Sequence, residues 1–168
     1  MVKRQVSYDT ALERAAGICA RGEHSQAEME RKARLWGLSG EDAARLSDWL
    51  VENGFVDEER FVRAFVHDKF RFEYWGRIKI RYALRQHGVS VGLVEQALKE
   101  IDETEYLGNL KMLLEAKFRS LSEDNPYRLK DKLFRYAAGR GFESKDVLPI
   151  IASLVDGADD FGDMIEES

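Results

Sequence analysis

The sequence predicts an all-α protein: a tandem array of three three-helix repeats forming an elongated, curved, right- or left-handed rod. Three observations predict it. Single glycines at Gly37, Gly88 and Gly141 recur after 51 and 53 residues, each flanked by apolar series with helical spacing. Upstream stand Ala33 and Met29, Leu84 and Ile80, Ala137 and Leu133. Downstream stand Ala43, Leu46 and Leu50; Val94, Ala97 and Ile101; Val147, Ile150 and Leu154. A serine follows each glycine (Ser39, Ser90, Ser144), placed to cap the helix that begins there. Prolines are confined to Pro126 and Pro149 in 168 residues. Arrays with such a period bind partners more often than they transform substrates.

The first repeat (9–53) opens with a helix from Asp9 to Arg21. Ser25-Gln26-Ala27-Glu28 reads as a capping box for a second helix that ends near Trp36. A third helix runs from Ser39 to Glu52, where Asn53-Gly54 stops it. In the second repeat (54–102), Asp57 caps a helix whose Phe61, Ala64, Phe65 and Phe72 share one face and read as core. Helices over Gly76–His87 and Ser90–Ile101 follow. The third repeat (103–155) opens at Thr104 with a helix that runs to about Leu121. Asn125 then caps a helix with Pro126 at its first position, and Ser144–Val155 closes the array. Pro149 is expected to kink that last helix or delay its start. Residues 156–168 read as an acidic, disordered tail.

Net charge is −5, but the tail holds six acids and no base, so the rest of the chain carries +1. Residues 60–87 hold eight bases against Asp68 and Glu73, a local excess of six positive charges. Local charge decides what a surface attracts. The tail either adds solubility or folds back on the basic helices, in which case deleting Asp156–Ser168 raises affinity at low salt. Cys19 is alone among Ala15, Ala16, Ile18 and Ala20 and reads as a buried, inert thiol. No apolar run approaches a membrane span, and MVKRQVSYD lacks a secretory apolar stretch, so a cytoplasmic protein without membrane contact is expected.

No catalytic constellation emerges. His24, His67 and His87 fall in different predicted elements without metal-ligand spacing, and no glycine-rich phosphate loop exists. The chain is therefore expected to be no enzyme and to need no cofactor or metal. The strongest functional signal is the helix 76–87. With Ile80 facing the core, Ala83, Leu84 and His87 share its side, while Arg77, Arg81 and Arg85 form a flanking stripe. Ile78 and Tyr82 lie opposite Ile80. Three readings stay open for them: packing on a neighbouring repeat, a protein-binding surface, or phosphate contact with Tyr74, Trp75 or Tyr82 stacking on bases. The matching helices of the other repeats are also basic (Arg31, Lys32, Arg34; Arg128, Lys130, Lys132, Arg135).

Three segments resemble a known family in order and spacing. Arg21-Gly22-Glu23-His24-Ser25-Gln26-Ala27-Glu28-Met29 is similar to the R-E-H-S-x-x-E-L opening of RecX regulatory proteins. Gly54-Phe55-Val56-Asp57-Glu58-Glu59-Arg60-Phe61-Val62-Arg63-Ala64-Phe65 resembles their G-hydrophobic-hydrophobic-D-D-x-R-F-A-x-A-F signature. Gly76-Arg77-Ile78-Lys79-Ile80-Arg81-Tyr82-Ala83-Leu84-Arg85-Gln86-His87-Gly88-Val89 resembles G-x-x-R-I-x-x-E-L-x-x-K-G-I. Ala83 stands where a glutamate is usual, and His87 replaces a basic residue. The resemblance implies a regulator that docks in the groove of the RecA filament on single-stranded DNA; any direct DNA contact is expected to be weak, and a monomer is the default expectation. It implies inhibition of filament extension, ATP hydrolysis and strand exchange. Arg77, Ile78, Arg81 and Arg85 are the contacts it favours, with Lys79, Tyr74 and Tyr82 secondary. Reversing Arg77 and Arg81 to glutamate is expected to impair inhibition while preserving helicity. A direct nucleic-acid-binding helical repeat is the alternative.

Overall fold

The computed structural model describes residues 5–163, with side chains through residue 157. The described residues form nine helices and no strand. They are α1 (Tyr8–Cys19), α2 (Gln26–Leu35), α3 (Gly40–Glu52), α4 (Glu58–Arg71), α5 (Arg77–Gln86), α6 (Val91–Lys99), α7 (Glu103–Ser120), α8 (Pro126–Gly139) and α9 (Ser144–Asp163). The described residues of Met1–His67 with Ala83–Ala97 form one compact unit, and those of Asp68–Tyr82 with Leu98–Ser168 the other. The division passes through α4, α5 and α6.

In the first unit α1, α2 and α3 pack on one another around Ala11, Ala15, Met29, Ala33, Ala43, Leu46 and Leu50. Four alanines in that set let the helix axes approach, since interaxial distance follows the side chains at the contact. In the second unit α7, α8 and α9 pack around Tyr106, Leu110, Leu114, Leu133, Ala137 and Val147, all buried. Full burial of each leucine contributes about 1.5–3 kcal/mol. The residues four and eight before each repeat glycine are buried in all three cases.

Downstream of the glycines the periodicity holds in the first repeat and drifts later. Ile101 lies past the end of α6 and is half-buried, and Leu98 takes the core place instead. In α9 the buried series is Val147, Ile151 and Val155, so Ile150 and Leu154 are displaced to the flank. Along α4 the buried residues are Phe61, Val62, Val66 and Phe70. Phe72, expected in the core, is 71% exposed because α4 ends at Arg71 and helical spacing no longer governs it.

The caps follow the same mixture. Ser25 Oγ accepts the Glu28 N–H at 3.1 Å, Ser39 Oγ that of Asp42 at 3.1 Å, and Asp57 Oδ1 that of Arg60 at 2.8 Å. The box at Ser25 is not reciprocated as expected: Glu28 Oε1 lies 3.1 Å from His24 Nδ1. Asp102 rather than Thr104 caps α7, by accepting the Glu105 N–H. Ser144 is the first residue of α9 rather than its cap, and the Glu143 carbonyl accepts from Asp146 and Val147. Pro149 lies inside α9 without delaying its start. That helix continues to Asp163, beyond the expected end at Val155. The first part of the tail expected to be disordered is thus helical, and residues 164–168 lie outside the described residues. Cys19 is half-buried, and burial pushes its thiol pKa up, which fits an unreactive thiol.

All three repeat glycines hold a positive φ, +100° at Gly37, +66° at Gly88 and +91° at Gly141. Each turn they make receives an earlier segment of the chain. The Val6 N–H donates to the Trp36 carbonyl at 3.3 Å, and Ser25 Oγ lies 2.8 Å from His87 Nδ1. The Gly76 N–H donates to the Arg140 carbonyl at 2.8 Å and the Ile78 N–H to that of Gly141 at 3.0 Å. Trp36, His87 and Arg140 each precede a repeat glycine, while Ser25 and Gly76 each stand twelve residues before one. The joint is therefore itself a repeated feature, made once within each unit by the start of a middle helix.

Candidate functional site

Helix α5 begins at a turn held under strain. Tyr74 sits at φ 53°, the left-handed region that costs a non-glycine residue about 1–2 kcal/mol. The Arg140 guanidinium donates to the Glu73 carbonyl and, at 3.5 Å, to that of Tyr74. Gly76 then passes so close to Gly141 that any Cβ there would overlap the Gly141 carbonyl. This contact gives the unsatisfied N–H groups at the start of α5 their acceptors from the α8–α9 turn.

Tyr106 completes the arrangement from α7. It is fully buried, accepts the Arg77 N–H at 3.1 Å and donates its hydroxyl to Glu143 Oε2 at 2.5 Å. Burial, reinforced by Glu143, pushes its phenol pKa well above the ordinary value. The Arg77 guanidinium lies 3.9 Å from the centroid of the Tyr106 ring and pairs with Glu103 at 2.5 Å and Glu143 at 3.6 Å. Its side chain is only 15% exposed. Arg77 is thus bound within its own unit, and reversing it to glutamate would oppose two carboxylates rather than report on contact alone.

The other expected residues divide. Ile78 is 49% and Tyr82 65% exposed, on the side of α5 away from the buried Ile80 and Leu84. Arg81 is half-buried with its own interactions, and Arg85 is exposed one turn on, in the first unit. Lys79 is half-buried and lies 4.3 Å from the Trp75 ring centroid, with Lys69 at 4.6 Å from the same ring. Tyr74 is half-buried and serves the turn. So Ile78 and Tyr82 come together in the open with Arg81 beside them, whereas Arg77 and Lys79 face into their own unit. Sequence reasoning missed Glu103, Tyr106, Arg140 and Glu143. The register held one clue: Tyr106 stands four residues after the capping Asp102, as Phe61 does after Asp57, but with a hydroxyl added.

The other basic helices carry local partners. Arg34 pairs with Glu30, Lys130 with Asp156, Lys132 with Glu123 and Arg135 with Asp131. Among the described residues no group of histidine, cysteine and carboxylate side chains could hold a metal, and no helix is long and apolar enough to cross a membrane.

The helices and their turns define an all-α protein assembled from three-helix modules. Residues 57–98 match the family model for the second three-helix domain of RecX, and residues 103–150 that for the third. A regulatory protein RecX of Prosthecochloris aestuarii is 32% identical over 145 residues, covering 86% of this chain and 93% of the relative. Another, from Clostridium botulinum, is 31% identical over 120 residues, covering 70% of this chain; those residues span 56% of that longer relative. A crystal structure of RecX from Lactobacillus salivarius superposes with a TM-score of 0.72 at 16% identity, over 88% of this chain and 96% of that one, so the fold is shared. The chain belongs to the RecX family of regulatory proteins.

Proposed function

We propose that the chain is a non-enzymatic regulator that binds the RecA recombinase filament on single-stranded DNA in the cytoplasm. It inhibits filament extension, ATP hydrolysis and strand exchange, and so modulates DNA repair and the SOS response. Family membership supports a regulator, and the α5 face supports a surface for it to work through. The observation that carries the reading is the pair Ile78 and Tyr82, one helical turn apart and both in water, opposite Ile80 and Leu84 in the core. Aromatic and aliphatic side chains next to arginine make the centres of protein interfaces. Arg81 supplies that charge within the same turn, and a net charge of −5 argues against a dedicated DNA binder.

The test measures RecA ATPase on single-stranded DNA at substoichiometric protein, and protein binding to bare DNA separately. Inhibition at low ratio with weak bare-DNA affinity is expected. Tight, salt-sensitive DNA binding that accounts for all the inhibition would replace RecA contact with direct nucleic-acid binding.

A further inference from the structure

Besides the α5 face, the first unit contains a cleft of about 440 Å³ that the proposed function does not use. Its apolar wall is Ala27 of α2, Val51 of α3, Val56 and Val89. Its only charged lining groups are the carboxylates of Glu30 and Glu58, and no lysine or arginine lines it. The remaining polar groups are already engaged. Ser25 Oγ accepts the Glu28 N–H and lies 2.8 Å from His87 Nδ1, while the Gln26 amide donates to Asp48 at 2.8 Å. Burial pushes the His87 pKa down, so the imidazole is neutral at pH 7 and adds no positive charge.

We propose that this cleft receives a lysine or arginine side chain presented by a protein partner. The fit is one of charge and shape together. A long aliphatic stem packs along Ala27, Val51, Val56 and Val89, while its cationic head reaches Glu30 and Glu58. Glu30 holds Arg34 at 2.6 Å, an exposed pair four residues apart on one helix. Such a pair is worth only about 0.3–0.5 kcal/mol, so an incoming cation readily exchanges for it. Glu58 accepts the Ser90 N–H and retains further lone pairs for a second donor. A phosphodiester would meet two lining carboxylates, with the nearby Arg34 already paired to one of them, so nucleic acid is the wrong occupant. The volume lies within the range of ordinary binding clefts, on the order of 300–1,000 Å³. This inference rests on the reading of the chain as a filament-binding regulator, and the side chain would come from the filament protein.

Wild type, Val51→Arg and Glu30→Gln are compared by fluorescence anisotropy against RecA filament on single-stranded DNA and against bare DNA, with thermal melts as the folding control. Val51 is exposed, so an arginine there places a cation in the cleft without entering the core. Filament binding should weaken about tenfold for Val51→Arg and about threefold for Glu30→Gln, with bare-DNA binding undiminished. Unchanged filament binding by either folded variant overturns the inference while leaving the regulator reading intact, as does an equal loss on bare DNA. Sedimentation showing a wild-type dimer that Val51→Arg dissociates gives the cleft to a second copy and also overturns it. A wild-type chain that binds no filament removes the parent reading as well.

Discussion

Arg77 and Ile78 are neighbours in the chain, yet one is tied into the protein and the other is left in water. Helical geometry turns consecutive side chains by about 100°, and what each then meets decides its role. Arg77 meets Tyr106, Glu103 and Glu143; Ile78 meets solvent. Arg77 is largely buried between Glu143 and the more exposed Glu103, so Arg77→Ala should cost about 1–3 kcal/mol in urea unfolding. The double variant Ile78→Glu, Tyr82→Glu should stay within about 0.5 kcal/mol of wild type in the same measurement. Its inhibition of RecA ATPase should fall about tenfold or more if these side chains are interface centres. A folded double variant that inhibits normally would remove α5 as the contact. His87 supplies a pH test. Its pKa is lowered mainly by burial, so the unfolded chain binds the proton more readily than the folded one. Stability is therefore full above the ordinary histidine value of about 6.5 and falls as pH drops below it. Urea midpoints at pH 7.5 and 5.5 should differ less for His87→Gln than for wild type.

Among the elements, the three recurring glycines share a positive φ, and the joint of the second unit requires a further glycine at 76. Gly76 is required because the start of α5 touches the Gly141 backbone, which no side chain could permit without displacement. Gly76→Ala should cost about 1–3 kcal/mol by overpacking. Gly108 is the control: it lies within α7, and nothing stands within 4 Å of where its Cβ would be. Gly108→Ala should stabilise by about 0.5–1 kcal/mol, since the helix gains propensity without a clash. Opposite shifts of the two melting temperatures would confirm the assignment, whereas two shifts of one sign would refute it. Helix α8 behaves differently at its start. Asn125 accepts from both Tyr127 and Arg128, and Pro126 has no N–H to satisfy. The last middle helix therefore needs no following turn, which is how the third repeat differs from the two before it.

For the molecule as a whole, charge decides how partners are approached. The chain is acidic in sum, with its bases concentrated in 60–87, so bare DNA should bind weakly and with steep salt dependence. If the exposed Arg85 touches a phosphate in the filament complex, Arg85→Gln should lower the slope of log affinity against log salt by about one. An unchanged slope would place Arg85 away from DNA. The acidic segment enters here too, since its first member, Asp156, lies 2.8 Å from Lys130 of α8.

Helix number, order and the glycine turns were legible in the sequence because they rest on local rules. Apolar spacing near 3.6, a capping side chain and a left-handed glycine each act within a few residues. The same local rules placed Ile78 and Tyr82 opposite Ile80. They failed where a helix ended sooner than expected or long-range contact overrode them. Phe72 has the right spacing but lies beyond its helix, and α9 buries Ile151 and Val155 where spacing favoured Ile150 and Leu154. Arg77 belonged on paper to an arginine stripe. Only the tertiary structure brought Tyr106, Glu103 and Glu143 to it from 26 to 66 residues away. Periodicity settles which way a side chain points. Whether water, a carboxylate or a ring waits there is settled by packing, and a lone sequence does not encode that arrangement locally.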